Sequence, residues 1–265
     1  MRSELVVDVT PKDMTTALLE DGRLVSLQRE TRDVSYAVGN IYLAKVKKLM
    51  PGLNAAFVNV GHPKDAFLHY LDLGSQFNTL SQYIKTVREN PNKRPPSISK
   101  IKNQPDTNKP GTVTDVLTQG EEVLVQIAKE PISTKGPRLT TEITFTGRFM
   151  VLTPFNDRIS VSQKIKDHGE KTRLRRLIES MKPKNFGIIV RTSAENKKAA
   201  ELNAELKILL KAWDDAIAKV QHATVPTLVY EEESRAVGEI RDIFNPEFES
   251  IMVNNAEVYE QIQAF

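Results

Sequence analysis

Residues 39–73 read GNIYLAKVKKLMPGLNAAFVNVGHPKDAFLHYLDL, and this stretch decides the fold. It divides into three short apolar runs, NIYLAKVKKLM (40–50), LNAAFVNVG (53–61) and DAFLHYLDL (65–73), punctuated by Pro51-Gly52 and by Gly61 and Pro63. Runs of that length, alternating and bounded by glycine and proline, predict strands. EEVLVQIAKE (121–130) and RLTTEITF (138–145) repeat the pattern, and five such strands predict a small barrel or sandwich. Upstream, residues 4–9, 14–20 and 23–29 predict three more strands, with Asp21-Gly22 between the last two. Both residues of that pair tolerate positive φ, which a tight hairpin demands.

Downstream the period changes. FMVLTPF (149–155) predicts a strand, and EKTRLRRLIESM (170–181) an amphipathic helix with Leu174, Leu177, Ile178 and Met181 on one face. FGIIVRT (186–192) predicts a buried strand. Residues 195–221 predict the longest helix, whose stripe of Leu202, Leu206, Leu209, Trp213, Ile217 and Val220 reads as core-facing. A strand at 227–230, a helix near 234–244 and a possible helix within 255–263 follow. The class is α+β, multidomain.

The 265 residues suffice for two or three small domains, and 40% hydrophobic with 27% charged residues is ordinary for a globular protein. Net charge is only +3, so composition alone does not point to nucleic acid. Without cysteine there is neither a disulfide framework nor a thiolate metal site. MRSELVVDVT lacks the apolar block of a signal peptide, and no apolar run reaches membrane-spanning length, so the expectation is a cytoplasmic chain. Residues 85–110 differ from the rest. They hold seven cations (Lys85, Arg88, Lys93, Arg94, Lys100, Lys102, Lys109) against Glu89 and Asp106, with five prolines (Pro91, Pro95, Pro96, Pro105, Pro110). That composition predicts an extended, mobile basic loop inserted into the barrel, whether or not it has a task.

Two places could carry chemistry. Phe57 and Phe67 lie on adjacent strands, with Lys45, Lys47 and Lys48 near in sequence. Alternation alone favours the core for both rings; exposed, they would stack unpaired bases without regard to sequence. His69 reads as a surface or packing residue rather than a ligand. Arg191 and Thr192 end the strand before the long helix. A helix N-terminus, a guanidinium and a hydroxyl together suit a terminal phosphate.

Taken in order, GNIYLAKV, AFVNVG, DAFLHYLDL and GEEVLVQI (120–127) closely resemble an S1 domain, an OB-type RNA-binding barrel. Together with the N-terminal meander, STKGPRLTTEI (133–143), FMVLTPF, NFGIIVRT and the helix around Trp213, the chain resembles the N-terminal half of the RNase E/G family of bacterial endoribonucleases. The resemblance implies an RNase H-like domain in two parts (1–37 and 233–265, the second incomplete), an inserted S1 domain (38–142, carrying the basic insertion 76–112) and a mixed α/β 5′-sensor domain (143–232). It implies that Phe57, Phe67 and Lys135 hold single-stranded RNA. Arg191 and Thr192 would bind a 5′-monophosphate, with the backbone of Gly147 and Val151 lining the pocket. Gln163 stands where close relatives carry an arginine near the phosphate, and Lys164 beside it is the candidate substitute.

The family cleaves RNA, in processing and mRNA decay, with a metal held by aspartates of a DNase I-like domain placed after the point where this chain ends. The resemblance therefore implies no catalytic residue and no metal ligand in these residues, no cofactor bound here, Mg2+ for the full-length enzyme, and a chain that alone binds RNA without cutting it. Protomers of the family join through a Cys-containing zinc link, so the full-length protein would be a homo-oligomer and this chain a monomer or weak dimer. Two rivals stand beside this reading. In one, Asp8 in LVVDV, with Glu20, Asp33 and Asp242 as the further carboxylates, is the metal site of an autonomous RNase H-like nuclease. In the other, the barrel is a non-catalytic interaction module.

Overall fold

The structure, a computed structural model, describes residues 2–31, 36–108, 110–233, 237–238, 240 and 248–263. Asp33, Asp242, Lys109 and most of the helix expected near 234–244 lie outside them. The chain forms two compact units, one from residues 1–37 with 233–265 and one from residues 38–232.

In the first unit β1 (Ser3–Val9), β2 (Asp13–Glu20) and β3 (Arg23–Thr31) form an antiparallel meander, and β14 (Phe248–Val253) pairs parallel to β1. Asp21 and Gly22 take φ of 48° and 76°, the positive pair a two-residue hairpin needs. Leu5, Val7 and Met14 are buried there with Val258 of α5 (Ala256–Gln263).

The second unit contains a closed barrel. β4 (Ile41–Met50), β5 (Ala55–Asn59), β6 (Ala66–His69), β8 (Arg138–Thr140) and β7 (Glu122–Lys129) pair in that order, and β4 pairs back onto β7. Alternate residues Val46, Ala56, Val58, Leu68 and Leu139 are all buried, and β4 and β7 hide both faces over part of their length, with residues 41–44 and 123–127 buried in succession. A second sheet, β11 (Ile159–Val161), β12 (Phe186–Val190), β10 (Met150–Pro154) and β9 (Phe145–Thr146), follows the barrel in the chain. Met150, Leu152, Ile188 and Val190 face the core with α3 (His168–Met181) and α4 (Ala199–His222). Trp213 of α4 is its centre, with rings of Tyr83, Phe145, Phe155 and Phe186 at 5.9, 6.2, 5.7 and 6.4 Å. The strand at 186–190 is buried as expected except at Ile189, which points outward and is 45% exposed. β13 (Thr227–Tyr230) attaches to β4. Gln126, buried in β7, ties barrel to sheet: its amide donates to the carbonyls of Gly39 and Thr144 and accepts from the Thr144 N–H.

Residues 85–110, whose charges and prolines predict an extended loop, end a helix at 85–89, and their described remainder is irregular apart from one 3-10 turn at Ile98–Lys100. The insertion opens with α1 (Phe77–Glu89), with Leu80, Tyr83, Ile84 and Val87 buried at helical spacing against α4. No proline interrupts that spacing until Pro91. Beyond it the chain is a strap whose carbonyls, denied ladder partners, are met by side chains. Tyr83 Oη donates to Pro96 O, Asn185 Nδ2 to Ile98 O and Ile101 O, and Gln221 Nε2 to Asn90 O and Lys93 O. Two of the cations are structural as well. Lys85 pairs with Glu121 at 3.0 Å, and Arg88 pairs with Glu122 while donating to the last carbonyls of α4. Lys93, Arg94, Lys100 and Lys102 are exposed on the strap.

Candidate nucleic-acid interface

On the barrel, strand alternation sends Leu68 inward and Phe67 and His69 outward, and on β5 it sends Val58 inward and Phe57 outward. Phe57 and Phe67 face each other directly in the β5–β6 register, with ring centroids 5.9 Å apart, edge to face. Both are half-buried, not the core residues that alternation alone favours. The close pairing of two rings on an outer barrel face leaves each with a partly open surface. His69 lies 6.3 Å from Phe67, and its Nδ1 accepts the Leu71 N–H at 3.1 Å, so it terminates the strand. Of the nearby lysines, Lys47 is paired with Asp65 at 2.8 Å, and Lys45 and Lys48 are exposed, with Lys48 opposite Phe57. Arg138 pairs with Phe67 across β6 and β8 and grips Asp72 through two parallel bonds of 2.8 and 3.0 Å.

Lys135 is exposed in the turn at 132–135, which an Ile132–Lys135 bridge closes. Gly136 seats that turn against the 64–65 loop, since a Cβ there would lie 2.2 Å from the Asp65 carbonyl oxygen. Only glycine permits that approach.

The second cluster forms where β12 ends at Val190. Arg191 Nη1 donates to the carbonyl of Gly147 at 2.7 Å, and the Arg191 N–H donates to Phe149 O at 2.8 Å. Thr192 Oγ1 lies 3.0 Å from Ser162 Oγ, and the same serine oxygen accepts the Lys164 N–H at 3.3 Å. Gln163 and Lys164 are exposed beside them. Val151 sits within β10, opposite Thr146 on one side and Ile189 on the other, with its side chain half-buried on the outer face. Ser162 and Ser193 (whose hydroxyl donates to Arg148 O) belong to this cluster and were not singled out from sequence. A serine one or three residues past a short strand has no signature of its own.

The anion-binding helix terminus expected next to Arg191 is not there. A 3-10 turn, Thr192–Ala194, follows Arg191, and α4 begins only at Ala199. The Glu201 carboxylate caps that end by accepting the Lys198 N–H at 2.9 Å, and this bond with Lys197 holds Glu201 below the usual carboxylate range. Instead the 195–198 segment is moored from α3. Arg173 makes two bonds to Glu170, of 2.6 and 2.7 Å; Glu170 also accepts the Asn196 N–H at 2.8 Å, and Arg173 donates to Lys197 O. The Arg173 hydrogen bond, assisted by the Asn196 N–H, holds the Glu170 carboxyl below its ordinary range.

Asp8 receives the Asn254 amide at 2.6 Å, and among the described residues no group of three or more His, Asp or Glu is placed to hold a metal ion. Among those residues no helix is long and apolar enough to cross a membrane.

The profile of the Ribonuclease E/G family matches residues 144–265. Ribonuclease G of Haemophilus influenzae is 30% identical over 262 residues, covering 99% of this chain and 49% of that protein. Ribonuclease G of Escherichia coli K12 is 30% identical over all of this chain and 50% of its own length. Ribonuclease E of a Nostoc species is 31% identical over 87% of this chain and 30% of its length. The chain thus spans about half the length of the ribonuclease G relatives it matches.

Proposed function

This chain belongs to the ribonuclease E/G family, and from that premise we propose that it is the part of a single-strand-specific endoribonuclease that grips RNA and inspects its 5′ end. Phe57 and Phe67 stack unpaired bases, Lys135 and the exposed barrel lysines hold the backbone, and Arg191, Thr192 and Lys164 receive a 5′-monophosphate. The barrel is then the S1 domain, residues 143–232 the 5′ sensor, and the meander unit an RNase H-like scaffold without catalysis. Metal-dependent hydrolysis, with Mg2+, falls to a part of the relatives beyond the matched half, in a homo-oligomeric cytoplasmic enzyme. The chain alone then binds RNA and does not cut it.

One observation carries the end-sensing reading. Three segments far apart in sequence (147, 162–164 and 191–192) converge on one small cluster, with the Arg191 guanidinium oriented by the Gly147 carbonyl and the Thr192 hydroxyl held by Ser162. A guanidinium fixed in direction and a fixed hydroxyl are what a compact dianion needs, because the ordering of both groups precedes binding. The test compares the same single-stranded RNA with a 5′-monophosphate and with a 5′-hydroxyl. Arg191→Ala should collapse the preference for the monophosphate toward one. A preference equal to that of the unaltered chain would defeat the sensor reading.

A further inference from the structure

The turn that orients Arg191 is itself held by a group on another element, the carboxylate of Glu205 on α4. Glu205 Oε1 accepts the Arg148 N–H at 2.6 Å and the Phe149 N–H at 3.1 Å; Oε2 accepts the Phe149 N–H at 2.9 Å and the Met150 N–H at 3.0 Å. Three consecutive backbone N–H groups pointing into one concavity form an anion nest, and here a side chain of the protein fills it. The fit is tight: a Cβ on Gly147 would lie 2.6 Å from Glu205 Cδ and 2.8 and 3.0 Å from its oxygens, so the residue that lends its carbonyl to Arg191 must be glycine for the carboxylate to enter. The far side of the turn is clamped too, by the Arg191 N–H on Phe149 O and the Ser193 hydroxyl on Arg148 O.

We propose that Glu205 is a positioning residue of the 5′-phosphate site: its carboxylate fixes the 147–150 turn, and thereby the Gly147 carbonyl that aims Arg191. The inference rests on the end-sensing reading above and names who sets its geometry. It also assigns the nest. Three N–H groups beside an arginine look like a second phosphate seat, but with the carboxylate in place a phosphate there would meet a like charge at hydrogen-bond distance. The terminal phosphate is therefore taken on the Thr192–Lys164 side of Arg191, not on the 148–150 amides.

The experiment measures affinities of the unaltered chain, Arg191→Ala, Glu205→Ala and Glu205→Gln for the 5′-monophosphate and 5′-hydroxyl forms of one RNA, and the ratio is the readout. Glu205→Gln keeps the shape but turns one acceptor into a donor facing an N–H. Glu205→Ala should reduce the ratio by about tenfold, the scale of one charge-assisted hydrogen bond, and Glu205→Gln should fall between it and the unaltered chain. Amide exchange at Arg148–Met150 should quicken in the same order. A merely structural role would lower both affinities in parallel and leave the ratio alone. If Arg191→Ala reduces the ratio while both Glu205 variants, folded by circular dichroism, retain it, the positioning role is wrong and the sensor reading stands. If the unaltered chain shows a ratio of one, the sensor reading fails and the inference with it. Should Glu205→Ala not fold, the Gln variant decides.

Discussion

Replacing Phe67 by Ala separates what the barrel's ring pair does for stability from what it does for RNA. The ring is half-buried and packs edge-on against Phe57 at 5.9 Å. Such an aromatic pair contributes about 0.5–1.5 kcal/mol beyond area burial, and the half of the side chain already in water adds little when lost. A total near 2 kcal/mol lowers the melting temperature of a unit this size by roughly 4–8 °C, which thermal unfolding followed by circular dichroism resolves. Binding is a separate quantity. One stacked base is worth about 1–3 kcal/mol, so the dissociation constant for single-stranded RNA rises by roughly 5- to 150-fold. Because a ring neutralises no phosphate, the slope of log affinity against log salt stays where it was, while Lys135→Ala shallows it by about one contact. Phe67→Tyr, with the same face, restores the affinity. Two results refute the reasoning: an affinity within twofold of the unaltered chain for a folded Phe67→Ala, or a tyrosine as weak as alanine.

Three further outcomes follow from particular contacts. Tyr83 is buried between Phe155 and Trp213 with its hydroxyl on Pro96 O, so Tyr83→Ala should cost about 3–5 kcal/mol in denaturant melts. Tyr83→Phe should cost only about 1–2 kcal/mol, and limited proteolysis should then cut first between Asn90 and Ile98. The Glu170 carboxyl titrates below its unfolded value, so its contribution is present above about pH 4.3 and is lost as pH falls through the depressed folded value; the stability gap between the unaltered chain and Glu170→Gln should close on acidification and be flat near neutrality. Gly136→Ala sets a Cβ against the Asp65 carbonyl, and should destabilise the barrel by about 1–3 kcal/mol and weaken RNA binding through a displaced Lys135, as melting and anisotropy would report.

Local period determined much of this protein. The short apolar runs in 40–50, 53–61 and 65–73 suffice for barrel strands because their apolar residues must leave water within a few residues of a turn, and Asp21-Gly22 suffices for a hairpin because few other pairs take two positive φ angles. The stripe of α4 suffices for a core helix, and Trp213 indeed lies at the centre of the aromatic core. In 77–89 a helical period is present too, and the prolines that rule out regular structure begin only at Pro91. Period and composition each hold over their own stretch, a helix before Pro91 and an irregular strap after it. Tertiary structure alone decided who satisfies the strap's carbonyls, that Ser162 meets Thr192 thirty residues away, and that Glu205 fills a nest of amides fifty-five to fifty-seven residues before it. A hydrogen bond between such partners leaves no periodic trace, because periodicity records only which face of an element is dry. Polar groups that must find partners across the fold are constrained by geometry that no window of neighbouring residues contains.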